Sequence, residues 1–225
     1  QGTTSSRAIL FSLSGKPIYT SQKEFKQYFP KNGWVEHNPN EIWSTVKKVL
    51  LDVLTKSKKL KGEIISIGIT NQRETTILWD KKTGKHIYNA IVWQDRRTEE
   101  YCKKIKNKEN LIRKKTGLFI DPYFSATKIK WILKNVPKAN NLLKKKRLLF
   151  GTIDSFLIQR AGQAESVQPA VIVGRRKQAA GQRDSQKLIG SQHVGDEATP
   201  HGGEYQISGT LHASQDLIKQ LPQNA

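Results

Sequence analysis

Residues 63–75 read EIISIGITNQRET, and the fold turns on this stretch. Its first eight residues are almost all apolar, small or β-branched, which predicts a central strand, 63–70, buried on both faces. The residues that follow, Asn71, Gln72, Arg73, Glu74 and Thr75, are polar, so the strand ends in side chains able to meet a ligand. Open α/β sheets bind ligands at the carboxyl ends of their strands. Arg73 donates hydrogen bonds and Glu74 accepts them, a pair suited to vicinal hydroxyl groups. The same spacing also suits a structural Arg–Glu pair, and the spacing alone does not separate the two.

The flanking sequence supplies an α/β frame. Residues 7–13 and 17–25 read as strands joined by the Ser14-Gly15-Lys16 turn. Asn38-Pro39-Asn40-Glu41 is a helix start, with Asn at the cap and Pro at the first position, and the helix runs to about residue 56. Strands are expected at 75–80 and 86–93, around a turn at 81–85. Helices are expected at about 97–107, 108–116, 125–135 and 137–145, then a strand at 147–150 and a helix at 153–160. That order makes residues 1–160 an α/β or α+β domain.

Residues 161–225 differ in kind. The first 160 residues hold all five Trp, all seven Phe and five of the six Tyr, whereas the remainder holds only Tyr205 among the aromatics, with 10 Gln and 8 Gly. So few large apolar side chains cannot offset the entropy of ordering the segment, and a mostly irregular tail is expected.

Composition narrows the function. With 36% hydrophobic and 26% charged residues the 225-residue chain reads as globular. No apolar run approaches about eighteen residues, and the N-terminus lacks the basic and apolar blocks of a secretory signal. One cysteine, Cys102, fits a reducing, cytoplasmic setting. The five histidines lack metal-ligand spacing, and neither a GxxxxGK[ST] phosphate loop nor a GxSxG elbow occurs. The net charge is +20, all of it in residues 1–160, where Lys outnumbers Arg 26 to 7. Nucleic-acid interfaces mix Arg and aromatics among their lysines, so this excess is read as a solvated surface, with no nucleic-acid partner. The chain opens on Gln and has no Met, which points to a piece of a longer protein.

Three further segments carry chemistry. Gly2-Thr3-Thr4-Ser5-Ser6 is a hydroxyl-rich turn followed by Arg7, able to meet phosphate oxygens. Trp93-Gln94-Asp95-Arg96-Arg97 closes a strand with an aromatic ring and dense charge. Tyr123 lies in Asp121-Pro122-Tyr123-Phe124-Ser125, a loop entering a helix. Each also has a plain structural reading: a polar loop, a core Trp, a packing Tyr. Asp154, at a helix start, reads as dipole support.

Read together, QGTTSSRAILF (1–11), IGITNQRETT (67–76), NAIVWQDRRT (89–98), KTGLFIDPYFSATKIKWIL (115–133) and LFGTIDSFLI (149–158) closely resemble the N-terminal part of the glycerol kinases, within the FGGY carbohydrate kinase family. The resemblance covers about 160 of the 225 residues, and Gln72-Arg73-Glu74-Thr75 favours glycerol over a pentose. It implies an actin-like, ribonuclease-H-like α/β fold. It implies a reaction in which the γ-phosphoryl of MgATP moves to a terminal hydroxyl of glycerol. Carried over, Thr3, Thr4, Ser5 and Arg7 contact nucleotide phosphates, Arg73, Glu74 and Tyr123 bind the glycerol hydroxyls, and Trp93 walls its carbons. A cytoplasmic homo-oligomer is expected of the full-length protein.

The departures matter as well. The family's first strand, its magnesium-linked Asp, its catalytic Asp and its adenine-binding domain have no counterpart in these 225 residues, and no metal ligand or catalytic base is assigned. From about residue 159 the text leaves the family pattern. The chain alone is therefore expected to be inactive. Two other functions compete: a basic nucleic-acid-binding protein on the same fold, and a module that holds glycerol without turnover.

Overall fold

The computed structural model describes residues 1–162 and the two-residue strand 172–173. An antiparallel hairpin opens the chain. Strand β1 (Ser5–Phe11) pairs with β2 (Pro17–Glu24), from Ser5 opposite Glu24 to Phe11 opposite Pro17. The turn closes through Ser12 N–H to Lys16 O at 2.9 Å, with Gly15 at φ 79°. β1 begins two residues earlier than the apolar pattern suggested, so Ser5 and Ser6 lie in the strand and the turn before it is only Gly2-Thr3-Thr4.

A short strand, β3 (Glu36–His37), precedes the long helix α1 (Pro39–Lys59). The Asn38 side chain accepts from Asn40 N–H at 2.9 Å, Glu41 stands in the first turn, and Lys56, Lys58 and Lys59 sit in the last, each complementing the helix dipole. Ile42, Val49 and Val53 bury against the hairpin. Two polar ties fix the contact: Ser21 to Asp52 at 2.7 Å and Ser6 with Thr45 at 2.8 Å.

The remaining elements are β4 (Gly68–Ile69), β5 (Ile77–Asp80), β6 (Ala90–Ile91), α2 (Glu99–Lys104), a 3-10 turn (Lys106–Lys108), α3 (Glu109–Thr116), α4 (Ser125–Asn135), α5 (Pro137–Lys144), β7 (Leu148–Gly151), α6 (Ile153–Gly162) and β8 (Ile172–Val173). β5 is the central plank. It pairs antiparallel with β7, and successive side chains point to opposite faces. Ile77 and Trp79 join Phe25, Ile42, Phe156 and Leu157 under α1 and α6, whereas Leu78 joins Ile91, Ile132 and Ala139 under α4 and α5. Gly151 is required where β7 leaves β5, since a Cβ there would stand 2.9 Å from the Trp79 ring and 2.7 Å from Ser155 Cβ. Asp80 closes the β5 turn through Lys82 N–H, Thr83 and a two-pronged pair with Arg147, whose hydrogen bonds hold its carboxyl down at about 2.

Three expectations need correction. Residues 63–70 are not a buried strand: only Gly68–Ile69 pairs, in parallel with β8, and Ile65 is 49% exposed. Burial of an apolar run comes from neighbours on both edges, and among the described residues this run has only that two-residue strand partner and the Gln1 ammonium on the Thr70 carbonyl at 2.9 Å. Residues 86–93 are not a continuous strand either. Ala90–Ile91 pairs with β3, with isolated bridges from His86 to Trp79 and from Ile91 to Thr76. The expected helix at 97–107 is a short α2 followed by the 3-10 turn.

His37 is fully buried against the Phe25 ring, 5.0 Å between centroids, with Nε2 on Gln27 Oε1 at 2.5 Å. Burial pushes its pKa down to about 4. Below about 6.5 the unfolded chain takes up a proton that the folded chain refuses until about 4, so stability falls across that window as pH falls. The loss should reach about 3 kcal/mol by pH 4, measured by urea unfolding, and the slope it adds should vanish in His37→Asn.

Candidate functional site

The polar segment after β4 is tied at both ends. Asn71 Oδ1 accepts from Asp154 N–H at 3.2 Å, at the start of α6. The Thr75 hydroxyl oxygen accepts from Trp93 N–H at 3.3 Å, and Thr76 exchanges two backbone hydrogen bonds with Ile91. Between these ties Gln72 is buried with neither amide atom partnered, and Arg73 is exposed with no polar partner among the described residues. Glu74 stands at φ 60°, the left-handed region that non-glycine residues enter at a cost.

Three side chains hold Glu74 there. Lys128 Nζ donates to its carbonyl at 3.2 Å and to the Tyr123 carbonyl at 2.5 Å. Ser125 donates to the Glu74 carbonyl at 3.4 Å and to its carboxylate at 3.2 Å, and Thr76 donates to the same carbonyl at 3.2 Å. Thus residues 74 and 123, far apart in sequence, share one ammonium.

Trp93 and Tyr123 meet edge to face at 5.9 Å, and Trp93 Nε1–H donates to Thr3 Oγ1 at 3.1 Å. An Asx turn from Asp121 Oδ1 to Tyr123 N–H, 2.7 Å, sets the Tyr123 backbone. Among the described residues the Tyr123 hydroxyl has no hydrogen-bond partner. Contacts therefore link Thr3, Trp93, Tyr123 and Glu74 into one group. The other candidates lie along the hairpin. Thr4 is exposed, with its carbonyl on Phe25 N–H. Ser5 is buried, its oxygen accepting from Gln22 Nε2 at 3.0 Å, and Arg7 is exposed and donates to Gln22 Oε1 at 2.8 Å.

Two residues that the sequence reading missed support this group. Lys128 is fully buried, and burial pushes its pKa down to about 8 against the opposing pull of Glu74, Asp95 and Asp121. The signal was present: Lys128 lies one helical turn from buried Ile132, on the stripe where an apolar residue belongs. Arg97, read only as part of the dense charge that closes a strand, is the second. Its side chain has no exposure, and neither has that of Asp95. It grips Asp95 bidentately at 2.9 and 2.8 Å and Glu36 at 2.8 Å, with its Cζ 3.9 Å from the Trp34 ring centre and 4.6 Å from that of Trp131. Glu36 also accepts from Tyr88 and Asn89, and Asp95 from Val35 N–H.

The linked group offers a fixed carboxylate, a phenol and an indole, the acceptor, donor and ring surface that a small polyol needs, whereas among the described residues no contact brings the exposed Arg73 guanidinium to it beyond its place next to Glu74 in the chain. A depression of about 410 Å³ lined by Lys106, Asn107, Glu109, Asn110, Arg113 and Phe119 shares none of these residues. Among the described residues no three of His, Cys, Asp and Glu cluster as metal ligands, and no helix is long and apolar enough to cross a membrane.

Residues 1–168 match the family model of the FGGY family of carbohydrate kinases, N-terminal domain. The chain is 58% identical over 160 residues to a glycerol kinase of Geobacillus sp. (strain WCH70), covering 70% of this chain and 32% of that protein. It is 59% identical over 162 residues to one of Oceanobacillus iheyensis, covering 71% and 32%. The crystal structure of Plasmodium falciparum glycerol kinase with ADP superimposes with a TM-score of 0.67 at 37% identity, over 70% of this chain and 32% of that one. The gluconate kinase from Lactobacillus acidophilus superimposes at 0.61 and 25% identity, over 71% and 31%. The chain spans about a third of the length of these relatives.

Removing one member of a buried ion pair leaves an uncompensated charge, which typically costs about 3–5 kcal/mol. Asp95→Ala should lose stability on that scale by chemical denaturation. Glu99→Ala, whose partner Lys103 is exposed at 3.7 Å, should change it by less than about 1 kcal/mol.

Proposed function

Because the chain belongs to the FGGY family of carbohydrate kinases, we propose that it forms the substrate-binding part of a kinase that moves the γ-phosphoryl group of ATP to a terminal hydroxyl of glycerol, giving sn-glycerol 3-phosphate. Its fold is the actin-like, ribonuclease-H-like α/β fold of that family's N-terminal domain. The reaction is assigned to the whole protein, and binding and orientation to the residues described. Residues 1–160 are taken as the kinase unit and 161–225 as a separate segment; the family match, which ends at 168, supports a boundary near there.

The observation that carries the reading is that one ammonium holds the main chains of Glu74 and Tyr123 together, with the exposed Arg73 next to Glu74 in the chain and without a polar partner among the described residues. Arg73 donates to the glycerol hydroxyls and Glu74 accepts from them, its carboxylate aligned by Ser125. Tyr123 adds a hydroxyl, and the Trp93 ring covers the carbon chain and sheds water from that side. The identity to glycerol kinases supports glycerol over a larger sugar.

The Gly2-Thr3-Thr4 turn, with Ser5 at the start of β1, fits nucleotide phosphates. It is closed by Gly2 N–H to Ser5 O at 3.0 Å, and a Cβ on Gly2 would come within 3.1 Å of that oxygen. Thr4 is exposed, and Thr3, which accepts from Trp93, keeps its own proton to donate. Arg7 adds positive charge, and Ser5 keeps a proton to give. Bound ATP supplies the phosphoryl group as its magnesium complex. Because the described residues offer no carboxylate cluster, Mg²⁺ is assigned no ligand in this chain, and no step is derived through it. What these residues do is place a hydroxyl oxygen and hold phosphate oxygens nearby, which is most of what phosphoryl transfer asks of a protein.

The chain should bind glycerol in a calorimetric titration, and Arg73→Ala should weaken that binding about 10–150-fold, the equivalent of about 1.5–3 kcal/mol. In the whole protein the same change should raise the KM for glycerol. An unchanged glycerol affinity in Arg73→Ala would overturn the assignment.

A further inference from the structure

We propose that Lys128 is the positioning residue of this site: its buried ammonium clamps the main chains of Glu74 and Tyr123 into one register, so that the two hydroxyl-binding side chains face the same polyol. The inference rests on the glycerol reading above for its ligand, but its geometry stands apart from it. Lys128 has no exposed surface and lies on α4, between the loop that carries Tyr123 and the segment that carries Glu74. Its two oxygen partners are the carbonyls of those two residues, at 3.2 and 2.5 Å, with no carboxylate in direct contact. A lysine kept for stability alone would be expected to pair with a carboxylate, because a buried cation held only by carbonyls is a costly choice.

What it fixes is otherwise unfavourable. Glu74 is in the left-handed region, and its carbonyl collects Lys128, Ser125 and Thr76. Without the ammonium, no hydrogen bond or ring contact among the described residues ties residue 74 directly to residue 123: Ser125 reaches Glu74, and Tyr123 reaches Trp93. Lys128 sets the distance from carboxylate to phenol while touching neither.

Lys128→Met, which keeps the length and apolar stem, separates positioning from general support. Amide exchange at residues 71–75 and 121–125 should quicken about tenfold, exchange at 77–80 and 148–151 should hold, and the glycerol dissociation constant should rise about tenfold or more. Equal quickening throughout, or none in the two segments, would overturn the proposal, and so would glycerol binding unchanged in a variant whose two segments have loosened. If wild type binds no glycerol, the glycerol reading falls, and exchange alone decides whether Lys128 clamps the two segments.

Should Lys128→Met not fold, the wild-type chain carries the test. The groups facing Lys128 are Glu74, Asp95, Asp121 and Cys102, whose thiol burial pushes up, so the titration is read in Cys102→Ala as well. The carbonyl carbons of Glu74 and Tyr123 should shift with one shared midpoint as Lys128 loses its proton in an alkaline titration followed by NMR. Carbonyl carbons that shift with separate midpoints, or a Lys128 proton loss that moves neither, would overturn the clamp.

Discussion

Arg97 is a full positive charge placed where water does not reach, and the middle of the molecule is arranged around that fact. A buried cation is tolerable only if its donors are filled, and the planar fork of arginine allows this while leaving both faces free. Asp95 takes two donors, Glu36 takes another, and Trp34 and Trp131 cover the faces. The consequence is topological. Glu36 belongs to β3, Asp95 follows β6, and Trp131 belongs to α4, so one guanidinium ties three parts of the chain that meet nowhere in sequence. Trp93, two residues before Asp95, inherits its place from this anchor.

The second charge in the interior works on a smaller scale. Lys128 projects from the same helix as Trp131 and meets the carbonyls of Glu74 and Tyr123. The site thus hangs from α4 on one side and from the β5–β6 bridge on the other, where Thr75 and Thr76 meet Trp93 and Ile91. The segment between them keeps a strained backbone at Glu74 and an open guanidinium at Arg73. Strain of this kind persists only where the surroundings over-determine it, and three donors on one carbonyl do so.

The sequence was a good guide where the information is local. The Asn38-Pro39 start of α1, the hairpin turn at Gly15, the helices beginning at Ser125 and Pro137, and the 153–160 helix all follow from caps, turns and periodicity. The reading failed where burial depends on neighbours. Residues 63–70 have the composition of a central strand, but a strand becomes central only when others flank it, and here Ile65 remains half exposed. β3 and β6 pair over two residues each, too few to show a period. Lys128 was marked only by its place on the apolar stripe of α4, and Arg97 by nothing local, because a single sequence does not mark which arginine is sealed from water.

The amino-acid sequence by itself determined the class of fold, the family, and the polar cluster at 71–75, because these rest on residue identity and short-range spacing. Only the tertiary structure decided which side chains share a site. Thr3, Glu74, Trp93 and Tyr123 come from four separate segments. What joins them is two buried cations, a left-handed residue and an indole N–H on a threonine, most of these interactions spanning long sequence separations. Their energies depend on the exclusion of water, which is a property of the packed chain and of no segment within it.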